Sequence, residues 1–148
     1  MYTQPSRRKV RLALESLEAR ENPVNDVTAT VLGTTLTLVG DDFNNAIVLS
    51  QSAGAITVQG SGGTNIIGGP SFPGITSIKT VMKDGNDHIS IVNNANFILT
   101  GAATFDLGDG DNSVWLMTDQ KVELGSLLVT AGDGQDVVLI EGGTSMGS

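Results

Sequence analysis

The chain has 148 residues, no cysteine, 19 glycines, 4% aromatic residues and a formal net charge of −8. That length suits one domain, and the absence of cysteine excludes disulfides and thiolate metal sites. Residues 1–22 carry five basic and three acidic side chains, whereas the remaining residues carry three basic and thirteen acidic ones. So acidic a body repels nucleic acid and anionic lipid and suits divalent cations or plain solubility.

In chain order, residues 1–22 come first and differ from all that follow. Ser6 is placed to cap a helix carrying Val10, Leu14 and Leu17 on one side. Its charges oppose the helix dipole, because Arg7, Arg8 and Lys9 lie at the positive end and the glutamates lie toward the negative end. The segment reads either as a surface helix or tail, or as an address for export. Arg11 interrupts the apolar core that a standard secretory signal needs. Residues 23–26 read as a linker. The rest, 23–148, reads as one β domain with strands expected at 35–39, 46–50, 55–59, 75–82, 88–92, 97–100, 103–107, 113–117, 121–124, 127–130 and 137–141. No apolar run approaches the roughly 20 residues of a membrane-spanning helix, so no membrane span is expected.

A phrase recurs along these strands: GDDFNNAIVL from Gly40, KDGNDHISI from Lys83, GDGDNSVWL from Gly108 and GDGQDVVLI from Gly132. Each copy is a carboxylate-and-glycine turn, then Asp or Asn, then an alternating apolar strand. Asp42, Asp84, Asp109 and Asp133 hold one position, and the last three are 25 and 24 residues apart. Such a period, with strands and no helices, predicts a parallel β-helix (β-solenoid) of about four coils of ~24 residues. The antiparallel β-sandwich is the alternative. The longer first interval is explained by a Gly/Pro-rich loop over residues 60–74. The last coil is expected to break off near Gly142. Ile47/Leu49, Ile89/Ile91, Val114/Leu116 and Val138/Ile140 are expected to point inward as aliphatic stacks.

The turns are the one chemical constellation. The candidate metal ligands are Asp84, Asp87, Asp109, Asp111, Asp133 and Asp136. A ladder of carboxylates is costly unless a cation bridges it or the side chains splay into water. The competing reading is structural: Asp and Asn bond turn backbone, and Gly supplies positive φ. Asn45, Asp87, Asn112 and Asp136 form a second stacked position. His88, the single histidine, starts a strand and faces outward with no cleft in view, so no catalytic residue is assigned.

Two resemblances bear on function. Leu14, Glu15, Leu17, Glu18 and Arg20, after the Arg-Arg-Lys cluster, resemble the N-terminal signature of exported repeat proteins of planctomycete-type bacteria. That resemblance implies a secreted or cell-surface location. The turns resemble the GGxGxDxUx nonapeptide of RTX-type calcium-binding repeats; residues 131–139 match it at Gly132, Gly134, Asp136 and Val138. That resemblance implies Ca2+, held weakly. Here the phrase comes once per coil, so an ion would sit between stacked copies about 4.8 Å apart. The expected function is therefore a non-enzymatic, structural or adhesive surface module. A polysaccharide-active, lyase-like β-helix enzyme is the alternative, although the body has no arginine to serve as base. An ice-binding solenoid ranks below both, because the threonines do not recur at one coil position. Expected partners are further copies of the chain at the solenoid ends, head to tail or face to face, and an extracellular polysaccharide or surface.

Overall fold

The structure is a computed structural model and describes residues 25–93 and 95–146. The N-terminal segment 1–22, with its expected address role, lies outside the described residues. Among the described residues the fold is all-β. Eleven strands form one curled, open, mixed sheet: β1 (Asp26–Leu32), β2 (Thr35–Val39), β3 (Ala46–Ser52), β4 (Ala55–Gly60), β5 (Asn65–Ile67), β6 (Ser71–Pro73), β7 (Ser77–Val81), β8 (His88–Asn93), β9 (Phe97–Asp106), β10 (Ser113–Thr130) and β11 (Val137–Met146).

Two kinds of turn decide how the strands pair. Gly33 (φ 62°) opens a two-residue loop between β1 and β2, and Ala53 and Gly54 (φ 49° and 78°) form another between β3 and β4. Two-residue loops with positive φ fold a strand straight back on itself. Hence β1 pairs antiparallel with β2, and β4 pairs antiparallel with β3. The Asp/Gly turns are longer and carry the chain round a corner instead. Strands before and after them stack in parallel on equivalent strands of the neighbouring layer. On one wall Leu36, Ile78, Ala103 and Leu127 share a row. On the other wall Ile47, Ile89, Val114 and Val138 share a row. Both walls therefore advance by the same steps, one longer and then two of 25 and 24 residues.

The core lies between these walls. Leu36, Leu38, Ile47, Leu49, Ile89, Ile91, Val114 and Leu116 are fully buried, with Phe97, Phe105, Val122 and Leu124 closing the space. Phe97–Leu99 pairs with Val122–Leu124, so β9 and β10 each bend through a third, shorter wall without breaking. Gln51 completes that wall from above: its side-chain amide accepts from Ile98 N–H at 2.6 Å and donates to Ile98 O at 3.1 Å.

Several expectations change. The described sheet is not wholly parallel: in its N-terminal part β1–β2, β3–β4 and β4–β6 pair antiparallel, among parallel pairs. Asp26 is not linker but the first residue of β1, whose strand 26–32 the pattern did not announce. Residues 60–74 are not a free loop. β5 pairs with β1 and β6 pairs with β4, so the surplus residues lie on the first layer. The two short strands expected within 97–107 are one strand, and so are the three expected within 113–130. β11 does not stop near Gly142 but runs to Met146, with Gly143 opposite Lys121 and Thr144 opposite Val122.

Candidate functional site

The recurrent turns line up along one corner of the sheet, and their side chains form hydrogen-bonded columns. In the inner column Asn45 N–H donates to Asp87 Oδ1 at 2.6 Å, Asp87 N–H to Asn112 Oδ1 at 2.8 Å, and Asn112 N–H to Asp136 Oδ1 at 3.1 Å. In the outer column the bonds run the other way. Asn86 N–H donates to Asn44 Oδ1 at 2.8 Å, Asp111 N–H to Asn86 Oδ1 at 3.0 Å, and Gln135 N–H to Asp111 Oδ1 at 2.9 Å. Each layer is thus fastened to the next by side-chain oxygens, which takes up turn N–H groups that no strand partner reaches.

Glycine is required between the columns for two reasons. Gly85, Gly110 and Gly134 have φ of 129°, 120° and 140°, and each lies against the layer before it. A Cβ on Gly110 would run into Gly85 O, and one on Gly134 into Gly110 O. The main chain is joined there too: Gly85 N–H donates to Asp109 O at 3.0 Å and Gly110 N–H to Asp133 O at 2.7 Å.

The six carboxylates named from the sequence fall into three groups. Asp84, Asp109 and Asp133 follow one another on successive turns and are exposed, and Asp109 Oδ1 accepts from Asp133 N–H at 2.9 Å. Asp111, also exposed, belongs to the outer column. Asp87 and Asp136 belong to the inner column, where Asn112 separates them. Among the described residues no three carboxylates or imidazoles come together as a group able to hold a metal ion. The sequence reading missed the outer column. Its signal was the polar residue after each turn glycine: Asn86, Asp111 and Gln135.

Asp87 is the buried carboxylate of its column, placed between two asparagines. Asn45 Nδ2 donates to Phe43 O at 2.6 Å and Asp41 O at 3.2 Å. Asn112 Nδ2 donates to Gly110 O at 3.0 Å and Gly108 O at 3.4 Å. The carbonyls equivalent to these beside Asp87 belong to Gly85 and Lys83, and an ionised carboxylate has no proton to offer them. Its Oδ2 is buried without a hydrogen-bond partner. Burial pushes this carboxyl up to about 7, against the pull of the Asn45 N–H and side chain and with a small push from the charge on Asp41.

His88 sits on the outer surface of the same wall. Its Nδ1 is 2.7 Å from Ser113 Oγ, and its ring meets Trp115 edge-on with centroids 4.6 Å apart. Burial lowers its pKa below the ordinary histidine value. A serine beside an imidazole is half of a nucleophilic arrangement. Here the adjacency follows from the register, since Ser113 and His88 are direct neighbours on parallel strands. Around them Val92, Trp115, Met117 and Val137 are all substantially exposed.

Among the described residues no helix is long and apolar enough to cross a membrane. No protein family, curated protein or solved structure matches the chain.

Proposed function

We propose that the chain is a non-enzymatic β-solenoid module of the cell surface or extracellular space, with a structural or adhesive role. The observation that carries this reading is the shared register. Turn, strand and side-chain columns repeat on both walls at steps of 25 and 24 residues. A chain that extends by adding equivalent layers makes long flat walls, which suit scaffolding and contact. The exposed group of Val92, Trp115, Met117 and Val137 supports contact through the wall that bears His88. The basic N-terminal segment supports export. Calcium enters the proposal as a stabiliser on the outside of the corner, where Asp84, Asp109 and Asp133 succeed one another.

Immobilised full-length protein should retain a component of the producing cell's envelope or an extracellular polysaccharide, and Trp115→Ala should weaken that retention by about tenfold. Retention equal in the two proteins removes the adhesive role of this wall. Release of unsaturated sugar products during the same incubation would favour the lyase alternative. Deleting residues 1–22 should leave a folded protein inside the producing cell; normal secretion of the truncated chain removes the address. Calcium on the order of 10⁻⁴–10⁻³ M should raise the melting temperature, and an unchanged temperature removes calcium from the proposal.

A further inference from the structure

The two ends of the curled sheet are finished differently. At the N-terminal end β1 and β4 fold back over the first layer, and each carries a further short strand, β5 or β6. The hydrogen-bonded corner is closed there as well. Asp41 accepts from Asp26 N–H at 2.9 Å, and Thr64 Oγ1 accepts from Ala46 N–H at 2.8 Å. At the other end, among the described residues, β11 pairs with β10 alone. Val138 and Ile140 stand in register with the fully buried Val114 and Leu116, yet they are 46% and 45% exposed. Leu127 and Val129, at the same end of the opposite wall, are only partly buried.

β11 therefore presents an unpaired main-chain edge beside the open bottom of an apolar core. Such an edge calls for another strand. Monomeric proteins commonly guard their edges with lysine, proline or several charges. β11 reads VVLIEGGTSM, and Glu141 is the single charged residue among its ten. Among the described residues, a second copy has no free edge of that length at its N-terminal end. What it can offer is its own β11.

We propose that two copies join edge to edge through β11, antiparallel about a two-fold axis, and form a closed dimer rather than a fibre. A register centred on Leu139 sets Val138 of one copy opposite Ile140 of the other, apolar against apolar. It sets Val137 opposite Glu141. The antiparallel sense also carries the turns with Asp133 and Asp136 to opposite ends of the joint, so the like charges do not meet. The contact uses one patch twice, which closes the assembly at two copies. This inference goes beyond the surface-module reading and does not depend on it, since the edge is present whatever the walls bind.

Because the chain has no cysteine, Leu139→Cys places one thiol on the proposed axis. Mild oxidation should give a covalent dimer of this variant, whereas Val31→Cys, exposed at the closed end, should stay largely monomeric. Sedimentation of the unaltered protein from micromolar to near-millimolar concentration should show monomer and dimer only. Ile140→Lys should raise the dimer dissociation constant by at least about tenfold. Should that variant fail to fold by circular dichroism, the cysteine pair decides alone. A monomer at all concentrations, species that grow past the dimer, or equal cross-linking at the two cysteine positions would overturn the proposal.

Discussion

The N-terminal third and the remainder of the molecule solve the same problem in opposite ways. Both must cover an aliphatic layer and pair the strand edges beside it. The first does so with hairpins: β4 returns on β3 and buries its own Ile56 and Val58 against the core. The second does so by repetition, so each layer is covered by the next until β11, which nothing described covers. Position in the stack, rather than residue type, thus sets how much a given apolar side chain stabilises. Ile89 and Ile140 are the same residue on the same wall, yet one is fully buried and the other 45% exposed.

The largest expected effect tests that contrast directly. Ile89→Ala removes a side chain held between Ile47 and Val114. It should cost about 2–5 kcal/mol in thermal or denaturant unfolding. Ile140→Ala in dilute protein should cost less than about 1 kcal/mol, since much of the side chain is already in water. If the edge is paired in a dimer, the Ile140→Ala cost should grow with protein concentration, which sharpens the contrast. Equal costs for the two variants at low concentration would break it.

The two turn classes give the next comparison. Gly54 sits in a hairpin loop at φ 78° with open space around it, so Gly54→Ala should cost about 1 kcal/mol from backbone conformation alone. Gly110 combines φ 120° with close approach to Gly85 O, so Gly110→Ala should cost about 2 kcal/mol or more. Gly110→Val or Gly134→Val should do at least as much damage. Melting temperatures that fall equally for Gly54→Ala and Gly110→Ala would mean that the layers can part at the corner without penalty.

The same division explains what could be read from the sequence. The corner turns were legible because each carries Gly with Asp or Asn at a fixed offset, and the inward stacks follow from alternation. The hairpins were not. Ala53 is an unusual residue for positive φ, and β1 alternates small and polar residues, with Val31 and Leu32 turned to solvent. Gly101 and Gly125 looked like strand ends. They are instead places where neighbouring chains come close: Gly101 N–H donates to Thr76 O at 2.9 Å, and a Cβ on Gly125 would press on Thr100 O at 2.6 Å. The carboxylates of the turns were visible as a set. Their acceptance of main-chain N–H groups from other layers was not, because those bonds depend on the register between residues 24 or 42 apart.

The inner column compares a covered member with an open one. Asp87 is buried beneath the first layer, whereas Asp136 lies exposed at the open end. The Asp87 carboxyl is raised to about 7 in the folded protein from 3.8. A raised acid binds its proton more tightly when folded. Its contribution to stability is therefore complete below about 4, falls as pH rises toward about 7, and is gone above that. His88 acts in the opposite sense: its lowered folded value reduces stability as pH falls below about 6.5. The Asp87 contribution can be isolated by Asp87→Asn, which supplies the amide that Asn45 and Asn112 already use on their own turns. At pH 8 that variant should be more stable by about 1–3 kcal/mol, the cost of a buried polar group left unsatisfied. Near pH 4 it should match the unaltered protein, and the part of the pH dependence between about 4 and 7 that comes from this carboxyl should disappear. Asp136→Asn, at the exposed foot of the column, should change stability by less than about 0.5 kcal/mol at either pH. An Asp87→Asn protein that melts at or below the unaltered one at pH 8 would mean that the ionised carboxylate is satisfied in solution. The distinction between covered and open members of the column would then fail at its most buried point.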